Sequence, residues 1–404
     1  MIQELTLPEL ATPDNHSMKR GPFGGALKKN MFVANGYVVY EQQHAIYKRF
    51  NDVRYFVDES KYKELKAFKV EEGDLIISCS GTIGKIAAIP KNFKPGVINQ
   101  ALLKLTLDQN KVLNKYFIFL FESKEIQNQL FNLSHGTGLK NFPPMSVVKS
   151  IKFPIPPLDQ QKKIAAILDA ADAYRQKTKA LIEKYDELTQ SLFLDMFGDR
   201  NKFKRVALET VVSNKKDFVD GPFGSNLKVS DQTSYGVRLI QINNIGVGQF
   251  RDKTQKFTSE EKYQSIIKHN VKPNDIVVAK MGEPLGRACI VPDFINKGLV
   301  VADCMRIRVS LDNFSNYFVM FFLNSDDAKQ QINNLSHGST RIRINLSMLR
   351  KLEIPLPPLD LQNQFAERVQ AIEAQKAQAE ASLAQAEDLF NSLLQRAFKG
   401  ELTT

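Results

Sequence analysis

The chain has 404 residues, 43% of them hydrophobic and 25% charged, which is ordinary for globular protein and, at roughly 150 residues per domain, predicts two to three domains. No apolar run approaches the ~20 residues that span a bilayer, the first residues lack the apolar stretch of a secretory signal, and the three cysteines form no CxxC pair, so we expect a cytoplasmic protein without disulfides. The net charge of +11 favours a polyanionic partner, usually nucleic acid.

The chain reads as two tandem copies of one unit of roughly 200 residues, a length that suits a duplicated domain plus a linker. Three anchors recur at a nearly constant offset: GPFGGALKK (21–29) returns as GPFGSNLKV (221–229), NLSHG (132–136) returns at 334–338, and PPLD (156–159) returns at 357–360. The copies differ most between these anchors, at residues 31–68 against residues 230–267.

Each copy begins with short β-branched runs bounded by Gly, Pro, Asn and Asp, which predict strands separated by turns. A helical stretch follows at residues 116–130 and 317–332. The proline cluster comes next and must be extended, because proline fixes φ and lacks an N–H group. The helical pattern resumes after Asp159 and Asp360, which are good N-caps.

Each copy ends in a predicted helix of about 38 residues with apolar side chains at alternating spacings of three and four, a pattern typical of a coiled coil. We predict that the two helices pair with each other, antiparallel if a pseudo-twofold axis relates the copies. Packing of each helix only on its own domain is the alternative. The predicted seam consists of Ile164, Ile167, Ala171, Tyr174, Thr178, Leu181, Tyr185, Leu188 and Leu192 in the first helix and of Phe365, Val369, Ile372, Lys376, Ala379, Leu383, Ala386, Phe390, Leu393 and Ala397 in the second.

Positive charge is concentrated in the globular parts, because the helices are net negative, by −2 over residues 159–199 and −3 over residues 360–401. Lysine neutralises phosphate, and arginine can also read guanine, so basic side chains at the recurring turns are the candidates for DNA contact. They are Lys28, Lys29, Lys85, Lys140, Lys228, Lys280, Arg287, Arg341 and Arg343. A purely structural role of these turns stays open, and we interpret His135 and His337 as turn or cap residues with DNA contact as the alternative.

The sequence carries none of the common catalytic motifs. SGTIGK (80–85) is too short for a Walker A loop, and the methyltransferase tetrapeptide, HExxH, GxSxG and metal-ligand spacings are absent. We therefore predict a non-catalytic DNA reader with no cofactor or metal of its own. Two alternatives are a stand-alone DNA-binding regulator and an enzyme with an unrecognised site at Asp74 and Asp275 or at the paired histidines, although aspartates at strand starts are more often turn formers.

The order GPFG, GTIGK, NLSHG, PPLDQQ and a heptad helix ending SLFLDMFGD (191–199) returns in a second series that ends SLLQRAFKGEL (392–402). This order resembles the specificity subunit of type I restriction–modification systems over essentially the full length. The second series departs from the first modestly, with MGEPLGR (281–287) in place of GTIGK and PPLDLQ (357–362) in place of PPLDQQ. The resemblance implies an α+β fold: two tandem α/β target recognition domains, joined by two long helices that pair as an antiparallel coiled coil with pseudo-twofold symmetry. Each domain would read one half of a bipartite, asymmetric target. The implied boundaries are 1–157 and 200–358 for the recognition domains and 158–199 and 359–404 for the helical spacers.

The resemblance also implies the partners. Double-stranded DNA would bind the recognition domains, and the helices would set the spacer and bind two modification (methyltransferase) subunits, which bring S-adenosylmethionine. Restriction subunits would bring ATP and Mg. The seam residues assigned to subunit interfaces are Ile164, Ile167, Leu181, Leu188, Val369, Ile372, Leu383 and Phe390.

Overall fold

The structure is a computed structural model that describes residues 2–132, 142–335 and 343–402. His135, Lys140, His337 and Arg341 lie outside these ranges. The chain divides into two compact units, which we call unit 1 (residues 1–179 and 381–404) and unit 2 (residues 180–380). In the part of the chain that the structure describes, no helix is both long and apolar enough to cross a membrane. The domain boundaries read from the sequence remain a prediction.

Unit 1 is built from short strands and helices in mixed order. The strands are β1 (Gln3–Thr6), β2 (Met18–Arg20), β3 (Tyr37–Tyr40), β4 (Phe56–Val57), β5 (Leu75–Ser78), β6 (Ile86–Ala88), β7 (Gly96–Ile98), β8 (Leu102–Leu105) and β9 (Lys152–Ile155). The helices are α1 (Leu7–Leu10), α2 (Gln42–Tyr47), α3 (Glu59–Glu64), α4 (Asn114–Phe121), α5 (Lys124–Asn132), α6 (Met145–Val148) and the first long helix, α7 (Leu158–Phe197), which continues into unit 2.

The core of unit 1 lies on both sides of an antiparallel sheet with the strand order β2-β8-β5-β6. Side chains alternate between the two faces of a strand. On β5, Leu75 and Ile77 therefore pack with Phe117 of α4, whereas Ile76 packs with Tyr40 of the second sheet, β4-β3-β7. All four residues of β5 are buried, because both faces of this sheet are covered.

Unit 2 repeats this plan with its own elements. The strands are β10 (Arg205–Ala207), β11 (Phe218–Asp220), β12 (Gln232–Thr233), β13 (Val237–Ile240), β14 (Lys256–Thr258), β15 (Asn270–Val271), β16 (Ile276–Ala279), β17 (Ala288–Ile290), β18 (Gly298–Val300), β19 (Cys304–Ile307) and β20 (Glu353–Pro355). The helices are α8 (Glu260–Ser265), α9 (Asn316–Asn324), α10 (Asp326–Leu335), α11 (Leu346–Arg350) and the second long helix, α12 (Leu359–Phe398), which ends in unit 1.

Each unit contains two larger sheets, and both sheets have the same strand pairing in the two units. The order β11-β19-β16-β17 matches the first sheet of unit 1, and the central strand β16 is again buried along its whole length. The second sheet has the order β12-β14-β13-β18-β15, and the positions of its short outer strands β12 and β15 are held in unit 1 by single bridges from Val33 to Phe56 and from Lys69 to Val97. A short ribbon closes each unit, β1 with β9 and β10 with β20. The divergent segment of the sequence instead builds a different connection after the central strand of the second sheet, α2 in unit 1 and the 3₁₀ turn Ile242–Asn244 in unit 2.

Within each unit the long helices lie antiparallel. In unit 1, Lys179 Nζ is 2.9 Å from a carboxylate oxygen of Glu387, and the Arg175 guanidinium lies 4.0 Å from the ring centroid of Phe390. In unit 2, Lys376 Nζ donates to Asp186 at 2.5 Å. The residue number of the α12 partner therefore decreases as that of the α7 residue increases, which confirms the predicted antiparallel pair. The predicted α+β fold is confirmed as well.

The predicted seam is right on α12 and partly wrong on α7. Every predicted seam residue of α12 is buried or half-buried. On α7 four of the nine predicted positions lie outside the seam, because Ile167, Tyr174, Leu181 and Leu188 are 38%, 55%, 43% and 50% exposed. The buried or half-buried positions fall one residue later, at Leu168, Arg175, Ile182 and Thr189.

Two polar residues explain this shift of one position. Arg175 lies over the Phe390 ring, and the Thr189 hydroxyl donates to the Tyr185 carbonyl at 2.8 Å, so both are satisfied within the seam. Because the seam was predicted from apolar residues, the prediction selected the neighbouring Tyr174 and Leu188 instead.

The repeated proline motif holds the start of each long helix to its unit. The Gln161 side chain is fully buried, accepts from the Leu113 N–H at 2.8 Å and donates to the carbonyls of Lys111 and Pro156. The fully buried side chain of Gln362 accepts from the Ser315 N–H at 2.9 Å and donates to Asn313 and Pro357 in the same way. The last glutamine of PPLDQQ and PPLDLQ is therefore the residue that the motif needs.

Candidate nucleic-acid interface

The GPFG turns are fixed by backbone packing. The N–H of Gly21 donates to the Leu102 carbonyl at 2.8 Å, and that of Gly221 donates to the Cys304 carbonyl at 2.9 Å. A Cβ atom on Gly21 would lie 1.8 Å from the Asn99 carbonyl oxygen, and one on Gly221 would lie 1.9 Å from that of Val301. Only glycine permits this close approach. Each turn is therefore held rigidly against the main sheet of its unit.

Lysines from these turns reach solvent. Lys28, Lys29 and Lys228 follow the GPFG turns and are exposed, and Lys85 is exposed in the turn between β5 and β6. Exposed lysines can neutralise phosphate without being desolvated. These four residues keep their position as candidate DNA contacts, whereas Lys140 and Arg341 lie outside the described residues.

Lys280 and Arg287 do not have the exposure that a DNA contact needs, so we withdraw them as candidates. Lys280 is 2% exposed, and its Nζ donates to Asp220 Oδ1 at 2.8 Å. The Arg287 guanidinium donates to the carbonyls of Ile245 at 2.7 Å and Ile242 at 3.1 Å, and desolvation lowers its pKa. Its sequence counterpart Lys85 faces solvent instead. Arg287 turns inward because the loop at 242–250, part of the divergent segment, presents carbonyl oxygens to it.

Arg343 is intermediate between these two groups. It is described at the edge of the second gap, and its guanidinium donates to Asp303 Oδ1 at 3.0 Å. Both side chains are about two-fifths exposed, at 41% and 42%. An exposed ion pair of this kind is weak and can exchange its carboxylate for a phosphate.

Unit 2 also contains a basic cleft that sequence reasoning missed. The cleft, of about 650 Å³, lies beside β11 and is lined by cations from the 3₁₀ turns Lys215–Asp217 and Ile267–His269, from β19 and the residue that follows it, and from α11. The cations are Lys215, Lys216, Lys268, Arg306, Arg308 and Arg350, with Asp217 and Asp220 as the acidic members. They are up to 135 residues apart in the chain, as the hydrogen bond from Arg350 to the Lys215 carbonyl illustrates. No local motif could therefore have indicated the cleft.

The cations of the cleft differ in how free they are. Lys215, Lys216 and Lys268 are exposed. Arg308 is held by two bonds to Asp275, at 2.8 and 2.7 Å, and Arg306 is buried and donates to Asn270. The arginines therefore shape the floor of the cleft, and the three lysines supply charge that a polyanion can reach.

The two aspartates named as an alternative catalytic site are engaged in the fold, and the paired histidines lie outside the described residues. Asp74 closes a turn by accepting from the Glu71 N–H at 2.8 Å and accepts from the Thr106 hydroxyl, and burial raises its pKa. Asp275 closes the equivalent turn by accepting from the Lys272 N–H at 2.8 Å. Both are turn formers in the structure. Among the described residues no group of three or more His, Cys, Asp or Glu side chains could hold a metal ion.

Comparison with known proteins agrees with this architecture. The family model described as type I restriction modification DNA specificity domain matches residues 24–185 and 234–387. The MjaVIII type I restriction enzyme specificity subunit of Methanocaldococcus jannaschii is 25% identical over 324 residues, which cover 76% of this chain and 74% of that protein. The EcoKI specificity subunit of Escherichia coli is 22% identical over 374 residues, which cover 86% and 78%.

Solved structures show the same fold. The S subunit of a type I restriction–modification system from M. genitalium superposes with a TM-score of 0.58 at 17% identity and covers 98% of this chain and 96% of its own. A chain solved in work on complex assembly and conformational transition of the type I R-M system reaches a TM-score of 0.61 at 17% identity, covering 99% and 98%. The family model covers most of the chain in two stretches that fall one in each copy, and the chain belongs to the type I restriction–modification DNA specificity family.

Proposed function

We propose that the chain gives a type I restriction–modification complex its DNA sequence specificity, with each unit reading one half of a bipartite, asymmetric target. The observation that supports this is a shared scaffold of two sheets with a divergent connecting segment. Both sheets of unit 1 recur in unit 2 with the same strand pairing, whereas the segment after β3 forms α2 and the equivalent segment after β13 forms the 3₁₀ turn Ile242–Asn244 and a loop. Two different half-sites require such a difference, because base edges and not the phosphate backbone carry sequence information. In this proposal residues 1–157 and 200–358 are the recognition domains, and residues 158–199 and 359–404 are the spacers.

Affinity for the duplex comes from exposed lysines that bind phosphate. In unit 1 these are Lys28, Lys29 and Lys85, and in unit 2 they are Lys228 and the cleft residues Lys215, Lys216 and Lys268. Lys140 and Arg341 remain candidates on sequence grounds, and Arg343 remains one because its ion pair is exposed. Replacing any one of these phosphate-binding side chains should weaken binding at all DNA sequences and lower the salt dependence of the affinity.

The helices bind the modification subunits through the face that the helix pair leaves open. Ile167, Tyr174, Leu181 and Leu188 recur at heptad spacing and lie on one side of α7, and we call them the α7 stripe. Apolar residues exposed in a row at this spacing suit a further helix packed against the pair. The seam residues Ile164, Val369, Ile372, Leu383 and Phe390 hold the pair itself together.

In this complex the chain binds and positions DNA and has no catalytic role. The modification subunits supply S-adenosylmethionine and the methyl transfer, and the restriction subunits supply ATP and Mg. The complex is cytoplasmic and acts on DNA there.

The test is co-expression of the chain with the modification subunit encoded beside it, followed by methylation mapping of the host DNA by single-molecule sequencing. We expect a split motif with two short defined halves around a fixed gap. The control strain expresses the modification subunit alone. A chain that forms no complex with that subunit yet binds one DNA sequence tightly would instead be a stand-alone regulator.

Charge variants make the same test specific to the two units. Lys28→Glu with Lys29→Glu should impair methylation through unit 1, and Lys216→Glu with Lys268→Glu should impair it through unit 2. Lys91→Glu with Lys94→Glu, two exposed lysines between β6 and β7 that are not candidate DNA contacts, is the matched control for the loss of positive charge. Equal effects of all three pairs would show that only net charge matters.

A further inference from the structure

We propose that Phe23 and Phe223 act as wedges, each inserted between two neighbouring base pairs of the half-site that its own unit reads. The inference rests on the proposed function, since it requires that both units bind DNA. It adds a local unstacking of the duplex, which sequence reading through base edges does not require.

Neither phenylalanine is needed by the fold. Phe23 is 68% exposed and Phe223 is 57% exposed, although Gly21, Pro22, Gly221 and Pro222 beside them are buried. The turn is held by the glycine backbone and the buried proline, so the aromatic ring adds little to its stability. A large apolar ring kept in solvent at the same position of both units indicates a partner for that ring.

The ring is carried on a rigid support. Gly21 and Gly221 fix the chain two residues before each phenylalanine, because the N–H group of each glycine is hydrogen-bonded and its backbone is closely packed. The 3₁₀ turns Gly24–Ala26 and Gly224–Asn226 follow directly. A side chain that must force two stacked base pairs apart needs such a support, because a flexible loop would yield instead.

A cation lies beside the ring in both units but comes from different strands. In unit 1 the Arg20 guanidinium of β2 lies 5.7 Å from the centroid of Phe23. In unit 2 the position equivalent to Arg20 is Asp220, and the cation is Lys280, which follows β16 and lies 4.7 Å from the centroid of Phe223. Asp220 holds Lys280 in place through its 2.8 Å bond. Duplication alone would keep the cation at the same position in both units. Because Arg20 supplies it in unit 1 and Lys280 supplies it from a different strand in unit 2, the pairing of a cation with the ring is itself the required feature.

The surroundings of both rings suit a duplex. Phe223 lines the basic cleft of unit 2 together with Lys216 and Lys268, and Phe23 is followed by the exposed Lys28 and Lys29. In a DNA duplex the apolar faces of the bases lie between two rows of negatively charged phosphates. An apolar side chain surrounded by cations is complementary to this arrangement. Among the macromolecules that could cover an exposed ring, a nucleic acid fits this charge best.

The experiment uses the full chain assembled with its modification subunits and duplexes that contain the mapped target. 2-Aminopurine, whose fluorescence rises when its neighbours unstack, replaces one base at a time along both half-sites. We expect a rise on binding at one step in each half-site. Phe23→Ala should abolish the rise in one half only, Phe223→Ala should abolish it in the other half only, and each should weaken binding about tenfold.

Phe294→Ala is the matched control, because Phe294 is 65% exposed in the same unit as Phe223 and does not line the cleft. Phe23→Leu and Phe223→Leu keep an apolar wedge and should retain part of the signal. Thermal unfolding and gel filtration establish that each variant folds and assembles.

The outcomes separate this inference from the proposed function. If the alanine variants bind the target with the fluorescence of the wild type, the wedges are refuted and the reading function stands. If the variants fail to assemble with the modification subunits but bind DNA normally, the rings contact protein and the inference is again refuted. If the wild-type complex shows no preference for any bipartite sequence, the proposed function fails and the inference fails with it.

Discussion

At the scale of single residues, Gln161 and Gln362 connect the start of each long helix to the segment before α4 or α9. Each amide bonds three backbone groups, and two of these lie 47 to 50 residues away in the chain. The preceding position holds Gln160 in one copy and Leu361 in the other, both half-buried, which shows that it accepts either residue type. The difference between PPLDQQ and PPLDLQ therefore falls where the fold tolerates it.

Replacing either buried glutamine by alanine should destabilise the protein by about 1–3 kcal/mol, because the Leu113 or Ser315 N–H and two carbonyls would lose a buried partner. The free energy of unfolding in urea measures the effect. Gln160→Ala is the neighbouring control and should cost much less. Equal losses for Gln160→Ala and Gln161→Ala would contradict the role of the hydrogen bonds.

The sequence predicted that the proline motif matters but not which of its residues carries the role. Recurrence marks a position as important to both copies, whereas the partners of Gln161 are backbone groups around residue 112 that no local pattern connects to it. The candidate DNA contacts show the same limit. Lys85 and Arg287 occupy equivalent positions, and only the fold reveals that one faces solvent and the other is bonded inside.

At the scale of elements, α7 and α12 were predicted almost to the residue because the proline cluster and heptad spacing are local signals. Asp159 and Asp360, however, lie in the first turn of these helices and are not the predicted N-caps. Which face of α7 pairs was harder, since its apolar residues occupy two adjacent stripes. Leu168 and Ile182 belong to the stripe turned inward, and Leu181 and Leu188 belong to the stripe left open. The second stripe is the one we assign to the modification subunits.

Charged substitutions in the α7 stripe should separate assembly from stability. Leu181→Glu together with Leu188→Glu should change the free energy of unfolding by only about 0.5 kcal/mol per site, because both side chains are half-exposed, but should weaken binding of the modification subunit. Gel filtration with light scattering measures the assembly. Leu168→Ala, at a fully buried site, is the opposite control and should cost about 2–5 kcal/mol of stability. Normal assembly of the double variant would place the docking surface elsewhere.

At the scale of the whole molecule, the duplication was visible from three anchors, and the sheet order that each copy adopts follows it. The basic cleft was not visible, because the fold gathers its lysines from positions 215, 216 and 268. Binding surfaces made of distant residues are a property of tertiary structure. The sequence could therefore predict a DNA-recognition protein with two units, but it could predict only part of the candidate DNA-binding surface.

If the long helices set the gap between the half-sites, shortening them should shorten the gap. Removing seven residues from the middle of α7 and seven from the middle of α12 takes about 10 Å from each, equivalent to about three base pairs. Methylation mapping should then find the same two half-site sequences around a shorter gap. Altered half-site sequences with an unchanged gap would refute the role of the helices as a spacer.

The way the chain divides between the units also sets the order in which they can finish folding during synthesis. Unit 2 is one uninterrupted segment, whereas unit 1 lacks residues 381–404 until all of unit 2 has been synthesised. Those residues bring Phe390 and Ala397 into the core that contains Ile164 and Leu168. The unit that emerges first from the ribosome is therefore completed last, and until then a nascent chain exposes the apolar surface that its own final helix segment will cover.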